Sequence, residues 1–133
     1  LQLAIRELAA GLKRRGLWSE VARRMQLHAE SAGFKMVTQY VGHGIGETMH
    51  EAPQVPNYLD RETLAGDFRL VPGLVLAVEP MVNMGVSQTK VLRDHWTVVT
   101  RDGLPSAHVE HTLALTADGV WVITADRDDE VVK

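Results

Sequence analysis

The spacing of apolar residues changes at Gly33, and that change limits the architecture of the chain more than any other feature. Before it, Leu1, Ile5, Leu8 and Leu12 recur at helical intervals. Gly16 marks the expected stop. A second helix is expected from an N-cap at Ser19, with Glu20 in its first turn. Val21, Ala22, Met25 and Ala29 form its apolar stripe, and Gly33 sits where a helix should end. So short a connection predicts two roughly antiparallel helices.

After Gly33 the pattern turns strand-like. Residues 34–41 read as a strand, and Gly42-His43-Gly44-Ile45-Gly46 as a glycine-rich turn. Pro53, Pro56 and Pro72 fall within residues 50–73, which lack periodicity and read mostly as loop. Residues 74–79 are a short apolar run closed by Pro80, as expected of a buried strand. Residues 96–100 and 109–116 are rich in β-branched side chains, with Arg101-Asp102-Gly103 as a turn between them. Asp118-Gly119 predicts a hairpin leading into residues 120–124. The charged tail, 126–133, is expected to fray. Helices followed by strands predict an α+β domain, with the helices on one face of a largely antiparallel sheet.

A chain of 133 residues fits one domain, 1–133, able to bury about 70% of its unfolded surface. A hydrophobic share of 45% and a charged share of 23% suit a soluble globular chain. The net charge of -3 leaves no basic footprint, so nucleic acid is not an expected partner. No apolar run approaches the roughly 18 residues that suggest a membrane-spanning helix. Residues 1–15 are amphipathic and carry Arg and Lys throughout, unlike a signal peptide. The chain has no cysteine, which excludes disulfide and thiolate chemistry and goes with a cytoplasmic location. The six histidines are the main chemical resource. The first residue is Leu1, inside a helical pattern, and reads as a chain whose N-terminal part is missing.

Three polar residues interrupt strand-like segments. His43 lies between two glycines, Glu79 ends the run Val75-Leu76-Ala77-Val78, and Glu110 stands beside His111. A carboxylate at the end of a buried strand is costly unless paired or bound to a metal. One imidazole and two carboxylates suit Mn, Fe, Co or Zn. Each residue also has an ordinary reading: a turn histidine, a strand-end glutamate at the surface, a solvent-facing glutamate on an alternating strand. Composition leaves both open. The Gly42–Gly46 segment lacks the GK[ST] ending of a phosphate loop.

Longer motifs narrow the choice. Tyr40-Val-Gly-His43-Gly-Ile-Gly with Met49-His50-Glu51-Ala-Pro53-Gln54-Val55 resembles the histidine-ligand segment of type I methionine aminopeptidases. Pro72-Gly73 through Glu79-Pro80-Met81-Val82-Asn83 resembles their first glutamate segment. Asp94-His-Trp96-Thr-Val-Val-Thr100 and Ser106-Ala107-His-Val-Glu110-His111-Thr112 resemble the tryptophan and final glutamate segments. The motifs occur in family order over residues 33–124. The resemblance implies half of a pita-bread fold: two antiparallel helices, then a mainly antiparallel curved sheet.

The resemblance also implies roles. His43, Glu79 and Glu110 would be metal ligands, with Glu110 bridging two ions. Glu79 would lie nearest the attacking water as general base. His50 would hydrogen-bond the scissile amide and steady the tetrahedral intermediate. Met49 and Trp96 would touch the substrate's methionine side chain; Met49 departs from the phenylalanine usual there, replacing a rigid ring with a flexible thioether. The substrate would be a peptide or nascent protein beginning with methionine. The complete enzyme would hold two divalent ions (Co, Mn, Fe or Zn). The family's two aspartate ligands have no match before His43. Two glutamates balance one divalent ion, so this chain alone is expected to hold at most one, weakly, and to be inactive without a second half in cis. The rival readings are a non-catalytic pita-bread-like binding module, disfavoured by the intact motif set, and a proline-directed peptidase, disfavoured by Glu79-Pro80-Met81.

Overall fold

The computed structural model describes residues 1–125 and 131–133. Two helices open the chain, α1 (Gln2–Lys13) and α2 (Trp18–Ser31). A third, α3, covers Arg61–Ala65 within the segment expected to be loop. The strands are β1 (Lys35–Met36), β2 (Gly42–Gly44), β3 (Glu51–Val55), β4 (Val75–Val78), β5 (Met81–Asn83), β6 (Thr89–Val91), β7 (Val98–Thr100), β8 (Ser106–His108), β9 (His111–Leu115), β10 (Val120–Val122) and β11 (Val131–Val132). They form a six-stranded sheet ordered β11-β10-β9-β4-β2-β3, a three-stranded sheet ordered β1-β5-β8 and the β6-β7 ribbon. Among the described residues every pairing is antiparallel. The α+β expectation therefore holds.

The core lies between the helices and the large sheet. Ala4, Ile5, Leu8 and Leu12 of α1 and Trp18, Val21, Ala22 and Met25 of α2 pack with Val55, Leu76, Val78, Leu113, Leu115, Val120 and Val122. Fully burying one such leucine or valine contributes about 1.5–3 kcal/mol relative to leaving it exposed. Trp18 stacks on Phe68 with ring centroids 5.8 Å apart, and its indole N–H donates to Pro56 O at 2.7 Å.

The two helices end by the same device with different residues. Phe34 N donates to Ala29 O and Gly33 N to Glu30 O, closing α2 with Gly33 at φ +86°. Gly16 N donates to Gly11 O and Arg15 N to Leu12 O, closing α1. Here the left-handed position is Arg15, φ +52°, and not Gly16. The expected cap at Ser19 is also displaced. Leu17 is the N-cap of α2 and offers no side-chain cap. The Asp67 carboxylate supplies it from across the fold, accepting from Ser19 N at 2.9 Å.

Other differences have local causes. The glycine-rich segment is strand β2 rather than a turn. A Cβ on Gly42 would run into the Ala77 carbonyl oxygen, and one on Gly44 into that of Ala52. Glycine is thus what lets β3 and β4 flank β2. Only Lys35–Met36 of residues 34–41 pairs as strand. Asp118-Gly119 makes the expected hairpin, with Leu115 opposite Val120. Within the tail expected to fray, residues 126–130 lie outside the described residues, whereas Val131 and Val132 pair with Trp121 and Val120. Among the described residues no helix is long and apolar enough to cross a membrane.

Candidate metal centre

The site forms where one antiparallel pair of strands passes from the large sheet into the small one. In the large sheet Val78 of β4 pairs with His111 of β9. In the small sheet Met81 of β5 pairs with His108 of β8. The register is continuous across the corner, so Glu79 stands opposite Glu110 and Pro80 opposite Val109; Val109 N donates to Pro80 O at 3.5 Å. Pro80 needs no ladder donor of its own and lets the strand bend.

Strand parity then sorts the neighbouring histidines. His108 and Glu110 are two residues apart and share a face, while His111 points to the other. His111 Nδ1 pairs with the Thr124 hydroxyl at 2.9 Å. His108 Nε2 lies 3.1 Å from Glu79 Oε2. Glu79, His108 and Glu110 bring one ligand atom each within 4.8 Å of one another. Pairing gave His43 its place beside them: it stands opposite Ala77 of β4, two residues before Glu79. His43 Nε2 is 3.9 Å from Glu79 Oε1. Its Nδ1 is 2.9 Å from Gly44 O, which can only accept, so Nδ1 carries a proton, and in the neutral ring Nε2 is the nitrogen left with a lone pair.

The sequence-derived residues thus fall into two groups. His43 and Glu110 each approach Glu79 at the corner; Glu110 clusters with Glu79 and His108, and His43 lies outside that cluster. The rings of His43 and His50 are 4.0 Å apart at 41°, so His50 joins the same locus. The loop carrying His50 is held by Glu51, whose carboxylate accepts from Thr48 N at 2.8 Å. Met49 is exposed, and Trp96 is 87% exposed at the tip of the β6–β7 ribbon. Trp96 precedes the strand expected to begin with it, because β7 starts at Val98. A cleft of about 690 Å³ opens beside His108, lined also by Val37, Tyr40, Met81 and Val98. Neither Met49 nor Trp96 lines it.

Comparisons with known proteins give the family. Residues 1–117 match the model of metallopeptidase family M24. The chain belongs to that family. It is 46% identical over 106 residues to methionine aminopeptidase 1 of Bacillus subtilis, covering 80% of this chain and 42% of that protein. It is 40% identical over 131 residues to methionine aminopeptidase of Escherichia coli, covering 98% and 47%. Among solved structures, methionine aminopeptidase of Thermotoga maritima superposes with a TM-score of 0.82 at 39% identity, covering 95% of this chain and 48% of that one. The chain therefore spans about half the length of the relatives it matches, and its fold is that of half a pita-bread metallopeptidase.

M24 metallopeptidases use divalent metal ions, and the residues here fit one. Like charges directly opposite in an antiparallel pair destabilise it, and Glu79 opposite Glu110 is such a pair. Glu79 is only 13% exposed, so water screens it poorly, and His43 Nε2 lies 3.9 Å from the same carboxylate. A cation between the two carboxylates would relieve their repulsion and could take the His43 nitrogen as a further donor. The Nδ1–H to backbone carbonyl bond of His43 is also the usual way a ligating imidazole is oriented. The one member of the cluster not singled out from sequence is His108. Its signal was present, as an alternation with Glu110 inside a motif already in view.

Proposed function

We propose that this chain supplies the His43, Glu79 and Glu110 half of a metal-dependent aminopeptidase that removes initiator methionine from new proteins, acting with a second half of the kind its relatives carry. The observation that supports this most strongly is the pairing of Glu79 against Glu110 at the sheet corner with the His43 lone pair beside it. The two carboxylates balance one divalent ion (Co, Mn, Fe or Zn); a second ion in the complete enzyme takes its remaining ligands from outside these residues. A cytoplasmic location goes with this reading, since initiator methionine is exposed there on nascent chains.

Held by Glu79, Glu110 and His43, a divalent ion would supply a Lewis acid for the peptide carbonyl and would make water a competent nucleophile near pH 7. The chain's own residues do the rest. Glu79 takes the proton of the attacking water and passes it to the nitrogen of the leaving amine as the C–N bond breaks. His50, seated on His43, donates to the scissile amide and the oxygen that gains charge. Met49 and Trp96 meet the methionine side chain; both are exposed in this chain and free to be covered by substrate.

The test grafts these 133 residues in place of the equivalent half of the Escherichia coli relative and measures methionine release with Mn²⁺. The graft should be active, its Glu79→Gln variant inert, and the 133 residues alone negligibly active. A folded graft that releases no methionine would refute the assignment.

A further inference from the structure

We infer that His108 is a nitrogen donor to the ion held between Glu79 and Glu110, a ligand additional to His43. The inference rests on the metal-centre reading above and extends it to a residue that reading does not need. His108 shares the face of Glu110 by strand alternation and sits diagonally across the pair from Glu79. Its Nε2 is 3.1 Å from Glu79 Oε2, while His43 Nε2 approaches the other oxygen, Oε1. The Glu79 carboxylate therefore lies between two imidazoles, one from β2 and one from β8. Of the two, it is His108 whose nitrogen joins the carboxylates of Glu79 and Glu110 within 4.8 Å.

The donor set is chemically coherent. Two carboxylates neutralise a divalent ion, and a neutral imidazole adds a bond without adding charge. Glutamate oxygens with imidazole nitrogen suit Zn, Mn, Fe or Co rather than Mg or Ca. His108 is 48% exposed on its side chain, so it can turn by a rotamer to close on an ion without disturbing the core. His111, on the opposite face and engaged with Thr124, is the natural control.

The experiment titrates the ¹⁵N-labelled 133-residue chain with Zn²⁺ and follows imidazole nitrogens by long-range ¹H–¹⁵N correlation, with affinity from calorimetry. The expected result is one ion bound, with His108 Nε2 moving to the metal-bound range and His111 unmoved. His108→Gln should weaken binding at least about tenfold, the low end of what losing even an orienting partner costs. His111→Gln should leave it unchanged. Glutamine can still hydrogen-bond Glu79, so a merely orienting role would survive that substitution. An unmoved His108 Nε2 at saturation, with Glu110→Gln still abolishing binding, overturns this inference and leaves the metal centre standing. Failure of the unmodified chain to bind Zn²⁺ at all overturns this inference, while the proposed function stands or falls with methionine release by the graft.

Discussion

Glu79 stands directly across an antiparallel corner from Glu110, at the point where both strands leave one sheet for another. Their carboxylates and the His108 imidazole lie within 4.8 Å of one another. A fold selected for stability alone has no use for two facing carboxylates, and on the proposed reading the pair exchanges stability for metal binding.

That exchange is measurable. Without metal, Glu110→Gln should leave the chain as stable or more stable by about 0.2–1 kcal/mol, the scale of a cross-strand pair. With Mn²⁺ at 100 times its Kd, the unmodified chain should gain about 2.7 kcal/mol, and the variant should gain nothing. Thermal unfolding with and without Mn²⁺ reads both. A variant that is destabilised without metal and still stabilised by it contradicts the proposed role of Glu110.

His50 should behave differently from Glu110. It contacts His43 ring to ring and, among the described residues, joins no cluster of ligand atoms. In the active graft, His50→Ala should lower kcat by about 10²–10³, the usual cost of one lost oxyanion donor, with metal content preserved. Elemental analysis beside steady-state kinetics separates the cases. Loss of metal from His50→Ala would move His50 into the ligand set.

The end of α1 offers a stability test unconnected with catalysis. Arg15 adopts φ +52° in the position where Gly33 serves α2. Left-handed backbone costs a residue with a Cβ roughly 1–2 kcal/mol. Arg15→Gly should therefore raise stability by about 1 kcal/mol after the added unfolded-state entropy is counted. Chemical denaturation gives the answer directly; a loss of stability would show that the Arg15 side chain matters more than its backbone.

The ribbon that carries Trp96 should loosen in acid. Asp94 accepts from the Thr97 hydroxyl and from the Trp96 and Thr97 amides, and these bonds hold its carboxyl below the usual carboxylate range. The folded value is depressed, so the order it confers is full above the ordinary aspartate range and lost as pH falls through the folded value. Amide shifts of Trp96 and Thr97 should titrate together with a midpoint below that of an ordinary aspartate. In Asp94→Asn that titration should vanish. Independent midpoints for the two amides would remove Asp94 as their common anchor.

Much of this was legible in the sequence because it depends on local chemistry. Helical spacing before Gly33 placed α1 and α2, Asp118-Gly119 placed a hairpin, and the motifs named Glu79 together with two residues, His43 and Glu110, that each lie beside it. Each of these signals is carried by residues adjacent along the chain or at fixed short spacing. What tertiary structure alone decided depends on contacts between distant segments. Gly42 and Gly44 read as a turn until the carbonyls of Ala77 and Ala52 are seen pressing on them. The cap of α2 comes from Asp67, 48 residues beyond Ser19, so no local capping rule could supply it. His108 gained its place because β5 and β8 continue the register of β4 and β9 through the corner, and register is a property of two strands that neither contains by itself.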